Sequence, residues 1–242
     1  MNRFLITFSY DGTNYNGYQK QHGLNTIQGC MEEALKYINN GKDTKLVSSG
    51  RTDAFVHANN QKAHVSVNIT EEKLKRALNS LIPNDIYVKN AKIVQDDFHA
   101  RFMVKRKEYV YILNMGEYDP IKRNYEYQYC KKLDVDKMKE AIKYMEGTHD
   151  FQNLSSNEIK EKSTIKTIYS AKIKKEKDKL IFTFCGNGFL RYMVRVMVGV
   201  LIEVGKGKID VDDIPLIIDG TYNKNYKKVA NPEGLYLNNV EY

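Results

Sequence analysis

Cysteine, proline and long apolar runs are scarce in this chain of 242 residues, and each scarcity excludes a class of protein. The three cysteines lie far apart without a CxxC pair, so we expect neither a disulfide framework nor a cysteine-based zinc site. The best candidate for a membrane helix, residues 193–204, is shorter than the roughly 18 residues that such a helix needs and contains two charged residues. The first residues lack the apolar segment of a signal peptide. We therefore expect a cytoplasmic protein.

Motifs of several enzyme classes are also missing. The chain has no GxxxxGK[ST], GxGxxG or GxSxG segment, which removes support for nucleotide-triphosphate, dinucleotide and lipase-type sites. The five histidines show no HExxH or other metal-ligand spacing. A serine or metal hydrolase is therefore not expected.

The charge balance points to a polyanionic partner without establishing one. Thirty-eight basic residues against thirty acidic residues give a net charge of +8. A basic protein favours nucleic acid because neutralising phosphates releases counterions. A genome base composition that enriches Lys and Asn explains the same excess, so charge alone leaves this interpretation open.

Apolar periodicities predict two α+β halves, each an antiparallel sheet with helices on one face. In the first half we expect strands at 3–10, 45–49, 63–67 and 86–94, with helices at 26–38 and 70–81. In the second half we expect strands at 105–114, 169–174, 179–185 and 235–240, with helices at 136–145 and 189–204. The halves span residues 1–104 and 105–242. With only four prolines and no linker, the two sheets are expected to meet.

The most informative segment, residues 48–58, reads SSGRTDAFVHA. It follows a predicted strand and is too polar for the core. Arg51 and Asp53 can fold back on each other, and a nearby cation lowers the pKa of a carboxyl, which keeps it ionised. An ionised carboxylate in a dry pocket can act as a nucleophile or a base. A structural salt bridge in an Asp-stabilised turn explains the same spacing, and spacing alone favours it.

Two further segments combine aromatic and basic residues. Tyr109 and Tyr111 share a face of a predicted strand, where they can stack on a nucleobase or form an aromatic cross-strand pair. Arg191 and Arg195 are four residues apart and share a face of the predicted apolar helix. Because a buried charge is costly unless paired, Arg195 needs a carboxylate such as Asp53, a substrate phosphate, or a path to solvent.

Together these segments resemble the tRNA pseudouridine synthase A (TruA) family over nearly the whole chain. GRTDAFVHA at 50–58 resembles the family signature GRTDAGVHA, and residues 10–21 resemble the opening YDGTxYxGWQxQ. Further matches in the family's order are TIQ at 26–28, LN and LIPNDI between 78 and 86, FHARF at 98–102, YVY at 109–111, FL, MVR and G between 189 and 199, and P, GL, V and Y between 232 and 242.

Three positions depart from the family pattern. Tyr18 stands where the family usually has Trp, and Asn231 stands where Ala precedes the closing Pro. Phe55 replaces the glycine that follows Asp-Ala. We expect a side chain at this position either to reduce the space beside the catalytic loop or to change how the loop backbone contacts RNA. An altered set of target uridines is therefore a hypothesis to test.

The resemblance implies a pseudouridine synthase fold: two RRM-like α+β halves with mixed or antiparallel sheets joined around a central catalytic cleft. It implies that uridine is isomerised to pseudouridine in the tRNA anticodon stem-loop, at positions 38, 39 and 40. Asp53 matches the catalytic carboxylate and Arg51 the arginine beside it. Tyr109 matches the tyrosine that packs on the target base, and Arg195 matches an arginine expected to pair with Asp53.

The resemblance further implies a homodimer that needs no metal and no organic cofactor. We expect tRNA as the partner, and neither DNA nor a membrane. Two alternatives stay open: a TruA-like paralogue that acts on other RNA uridines, and a non-catalytic RNA-binding protein.

Overall fold

A computed structural model describes residues 1–156, 163–224 and 226–242. Its strands are β1 Asn2–Tyr10, β2 Val47–Ser48, β3 His57–Val67, β4 Ile86–Val94, β5 Arg106–Asn114, β6 Tyr127–Gln128, β7 Gly147–Asp150, β8 Ile165–Glu176, β9 Lys179–Gly186 and β10 Leu235–Glu241. Its α-helices are α1 Ile27–Ile38, α2 Glu71–Leu81, α3 Val135–Ala141, α4 Met193–Gly205 and α5 Ile214–Asp219. The chain divides into two compact units, Met1–Lys105 with Tyr236–Tyr242, and Arg106–Leu235.

The first unit is a mixed sheet with two helices. Its strand order is β4-β1-β3-β10, and β2 pairs with β3. β1 runs antiparallel to both β3 and β4, whereas β10 runs parallel to β3. Alternate residues of β1 are buried (Phe4, Ile6, Phe8 and Tyr10), as a strand with one core face requires. α1 begins after Thr26, whose side chain accepts a hydrogen bond from the Gly29 amide.

The second unit contains an antiparallel sheet in the order β5-β9-β8-β7, with β6 parallel to β5. The turn between β8 and β9 contains Lys177 at a φ of +55°. Within α4, every residue is buried apart from Arg195. The buried Glu203 of this helix is paired with Lys206 at 2.6 Å and lies 3.7 Å from Lys208, which offsets the cost of burying its charge.

The mixed sheets and packed helices confirm the predicted α+β class. Several predicted boundaries are wrong. β3 begins at His57 rather than at residue 63, and β8 begins at Ile165 rather than at residue 169. α4 begins at Met193 rather than at residue 189, because Tyr192 takes a left-handed conformation with φ +62°. The predicted helix 136–145 ends as an α-helix at Ala141 and continues as a 3-10 turn over Ile142–Met145. None of the helices in the described ranges combines the length and apolar character needed to cross a bilayer.

Candidate active site

The loop at residues 49–56, between β2 and β3, carries Arg51 and Asp53 on either side of the buried Thr52. The Oγ1 of Thr52 lies 2.8 Å from the Tyr10 hydroxyl in a buried hydrogen bond. Arg51 is exposed and Asp53 is half-buried. Because Thr52 points inward, its two charged neighbours are left more accessible.

Backbone hydrogen bonds tie this loop to the segment after β1. The Tyr18 amide donates to the Thr52 carbonyl at 3.1 Å, and the Phe55 amide donates to the Tyr15 carbonyl at 3.4 Å. Tyr18, one of the three departures from the family pattern, has a buried side chain. The main chain on both sides of Asp53 is therefore held by residues 15–18.

Two glycines allow this close approach. A Cβ on Gly12 would lie 2.1 Å from the Val56 carbonyl oxygen, which is impossible without displacement of the backbone. Gly17 has a φ of +90°, and a Cβ there would lie 3.0 Å from the Thr52 oxygen and 3.2 Å from the Ala54 nitrogen. Glycine is thus required at both positions, in the first case by space and in the second by conformation as well.

Gln61 fixes the start of the loop and was not predicted as a site residue. The Ser49 hydroxyl donates to its Oε1 at 2.7 Å, and its Nε2 donates to the Gly50 carbonyl at 3.1 Å. Gln61 is fully buried. Gln61 and Ala63 are two residues apart in β3, so their side chains point to the same face of the strand. This alternation is the sequence signal that places the Gln61 amide on the core face.

His57, the first residue of β3, holds the other end of the loop. It is buried, and its Nδ1 accepts a hydrogen bond from the Gly12 amide at 3.0 Å. Its ring stacks on Tyr236 with centroids 4.7 Å apart. These contacts give His57 a structural role in the loop.

Tyr109 and Tyr111 both point to the buried face of β5. The Tyr111 ring meets the opposite Phe182 edge to face at 6.1 Å, and its hydroxyl donates to the Asn231 carbonyl at 2.8 Å. Burial raises the pKa of Tyr111, so its hydroxyl stays a neutral donor. Tyr109 packs edge to face on Phe189 at 5.0 Å and is 8% exposed. Tyr111 thus forms an aromatic cross-strand pair, one of the two interpretations that the sequence allows for it.

Arg191 and Arg195 do not share a helix face, because Arg191 precedes α4. Their guanidinium carbons instead lie 4.9 Å and 5.1 Å from the ring centroid of Tyr192. Arg195 is also held by Ala230: its Nε donates to the Ala230 carbonyl at 2.8 Å, and its own carbonyl accepts from the Ala230 amide at 3.0 Å. These contacts fix the position of the Arg195 guanidinium.

Arg51 and Asp53 thus lie on one loop of the first unit, whereas Tyr109 and Arg195 belong to the second unit. A half-buried carboxylate on a fixed loop can act as a nucleophile or a base. Guanidinium groups suit phosphate oxygens. Among the described residues, no three His, Cys, Asp or Glu side chains come together as ligands for a metal ion.

Comparisons with known proteins identify the family of this chain. A family model described as tRNA pseudouridine synthase matches residues 6–103 and 141–242. A protein of Anoxybacillus flavithermus named tRNA pseudouridine synthase A is 42% identical, over 100% of this chain and 99% of that protein. One of the same name from Geobacillus is 41% identical over 99% and 98%, and tRNA pseudouridine synthase A 1 of Bacillus cereus is 40% identical over 100% and 99%. The chain therefore belongs to the tRNA pseudouridine synthase A family.

Proposed function

We propose that this protein isomerises uridine to pseudouridine in the anticodon stem-loop of tRNA, at positions 38, 39 and 40, with Asp53 as the catalytic carboxylate. Membership of the family supports an isomerase that acts on tRNA uridines. The observation that carries the assignment of Asp53 is its place on the loop that Gly12, Gly17 and the buried Thr52 hold in one conformation.

The reaction needs a carboxylate of this kind. The N1–C1′ bond of uridine breaks, the base turns, and a C5–C1′ bond forms. C5 then loses its proton and N1 takes up a proton, so that the product is an isomer of the substrate. When uracil leaves with the bonding electrons, positive character develops at C1′, and a nearby carboxylate stabilises or traps it. An ionised Asp53 also suits attack at C6 or removal of the 2′ proton, and the proposal covers all three routes.

The other site residues are assigned to binding. Arg51 is exposed beside Asp53 and supplies a charge-assisted hydrogen bond to the phosphate of the flipped-out nucleotide. Tyr109 packs against the target base with its ring and offers its hydroxyl to the proton transfer at C5. Arg195 supplies a fixed positive charge for the RNA, since Ala230 and Tyr192 hold its guanidinium. Flipping the base costs a few kcal/mol, least where pairing is weak, which suits the end of a stem.

We further propose a homodimer that acts in the cytoplasm and binds one tRNA with both subunits. Analytical ultracentrifugation of the protein alone and with tRNA tests this assembly. A sedimentation coefficient of a monomer in both samples would contradict it.

The test of the proposed function uses purified protein and unmodified tRNA transcripts, with pseudouridine mapped by carbodiimide modification and primer extension. Stops that report positions 38 to 40 are expected from the native chain. Asp53→Asn should give no stops yet shift tRNA in a gel as the native chain does. Asp43→Asn is the matched control, because Asp43 is an exposed aspartate paired with Lys36.

The outcomes separate the alternatives. Stops at other uridines would support a paralogue with different targets. Binding without stops in the native chain would support a non-catalytic RNA-binding protein. Stops from Asp53→Asn would overturn the assignment of Asp53.

A further inference from the structure

Phe55 combines a strained backbone with an accessible ring. Its φ is +65°, in the left-handed region that is rarely adopted by bulky residues. The residue is 51% exposed. An observed outlier of this kind is a reason to look for function, because strain persists where the surroundings impose it.

Backbone contacts around Phe55 hold it in this left-handed conformation. The Phe55 amide donates to the Tyr15 carbonyl, and the next amide, that of Val56, donates to the Asp53 carbonyl at 3.3 Å. A Cβ on Gly12 would lie 3.1 Å from the Phe55 carbonyl carbon, so the two chain segments are already in contact. Phe55 therefore cannot relax to a negative φ without moving the loop that carries Asp53.

The ring does not offset this strain through stacking within the chain. In the part of the chain that the structure describes, neither an aromatic ring nor a cationic group stacks on Phe55. Phe55 is half exposed, so burial offsets the strain only in part. Fold stability thus gives only a partial reason for a phenyl ring at this position.

We propose that Phe55 is a specificity-determining residue whose ring stacks on the nucleobase adjacent to the target uridine. The inference rests on the proposed function, since it uses Asp53, two residues away, to place the uridine. When a uridine flips out, its neighbour loses a stacking partner, and a planar apolar ring on the same rigid loop can replace that partner. Aromatic stacking accepts any base and is stronger with larger rings. Targets with a flanking purine are therefore preferred.

Two variants separate the ring from the backbone conformation. Phe55→Asn removes the ring and tolerates the left-handed conformation better, so its Tm should equal or exceed that of the native chain. Its kcat/KM on tRNA should nevertheless fall about 5-fold to 150-fold, the range expected for loss of one base–aromatic stack. Phe55→Tyr keeps the ring and should retain activity. Tyr37→Leu, which removes an exposed aromatic side chain on α1, is the matched control and should be neutral.

Altered RNA tests the contact itself. Transcripts are made with an abasic nucleotide on the 5′ or the 3′ side of the target uridine, and with purine or pyrimidine at each flank. The native chain's advantage in kcat/KM over Phe55→Asn should vanish with one of the two abasic RNAs. On that same side of the uridine, the advantage should be larger with a purine than with a pyrimidine. An equal loss on all of these RNAs, or no loss in Phe55→Asn, would overturn the proposal.

The result is distinguishable from a failure of the proposed function. A native chain that forms pseudouridine, with Phe55→Asn equal to it, removes the role of Phe55 alone. A native chain that forms no pseudouridine removes the proposed function, and gel-shift affinities for the same abasic RNAs then decide the stacking contact. In that case equal affinities of the native chain and Phe55→Asn would overturn it.

Discussion

The Tyr10 hydroxyl and Thr52 Oγ1 lie 2.8 Å apart in the interior of the first unit. This contact joins the end of β1 to the residue between Arg51 and Asp53. Burial raises the pKa of Tyr10 to about 12, so its phenol keeps its proton at neutral pH. The hydrogen bond therefore connects the core of the sheet directly to the position of the proposed catalytic carboxylate.

Replacing Tyr10 with phenylalanine should loosen the loop. Tyr10→Phe leaves the Thr52 hydroxyl without this partner, and an unsatisfied buried group costs about 1–3 kcal/mol. We expect lower stability in urea unfolding and a lower kcat for pseudouridine formation. The double variant Tyr10→Phe/Thr52→Val, which removes both groups, should be less destabilised than the sum of the single variants. Additive losses would show that the two hydroxyls do not interact.

A methyl group at residue 12 should disable the site from a distance. In Gly12→Ala the new Cβ needs the space of the Val56 carbonyl oxygen, 2.1 Å away, so the loop must move. We expect a fall in Tm and at least a 100-fold loss of pseudouridine formation, the scale of effect that a displacement of about 1 Å has on catalysis. Gly23→Asn is the control, because Gly23 has open space and asparagine tolerates its φ of +72°.

The hydroxyl of Tyr109 should matter for catalysis. Tyr109→Phe keeps the ring that packs on Phe189 and should lose most pseudouridine formation. Tyr111→Phe is the matched control. It loses the hydrogen bond to the Asn231 carbonyl, which costs about 1 kcal/mol of stability, and should stay active. Full activity in Tyr109→Phe would leave its hydroxyl without a role.

His64 should make the first unit sensitive to acid. Burial, then the charges of His99 and Arg3, lower the pKa of His64 to about 4, and the Ala100 amide donates to its Nδ1 at 3.0 Å, which requires an unprotonated nitrogen. The unfolded histidine titrates near pH 6.5. Between these values the unfolded chain binds more protons, so the free energy of unfolding falls as pH falls from about 6.5 to about 4.

The matching measurement is urea unfolding across pH 4 to 7.5. His64→Asn keeps an acceptor for the Ala100 amide and removes the titrating ring, so its stability should depend less on pH in this window. The same pH dependence in both proteins would assign the effect to other groups.

Local sequence patterns predict the individual helices and strands better than they predict which strands pair. The alternation in β1 and the helical spacing after Thr26 are properties of short segments, and both are confirmed. The parallel pairing of Tyr236 with His57 joins distant parts of the chain, and no local pattern indicates it. The start of α4 was missed because residues 189–192 continue its apolar pattern, while the left-handed φ of Tyr192 depends on tertiary contacts.

The residues of the candidate site also form two groups, those that a local sequence pattern indicates and those that it does not. Arg51 and Asp53 are predicted as site residues because a charged, turn-prone segment differs in composition from the strands around it. The groups that hold them, Tyr10 and Gln61, are inward-facing residues of regular strands. Their function depends on which buried atom each one meets, and that is decided by coordinates rather than by spacing.

The contact of Gly12 and Gly17 with the Asp53 loop has a consequence for engineering. The conformation of the loop is encoded some forty positions before it, in residues that bear no functional group. Variant libraries aimed at new target uridines should therefore diversify Phe55 and leave both glycines unchanged. Naturally occurring substitutions at these glycines should be grouped with substitutions in the proposed active site when sequence variants of this protein are interpreted.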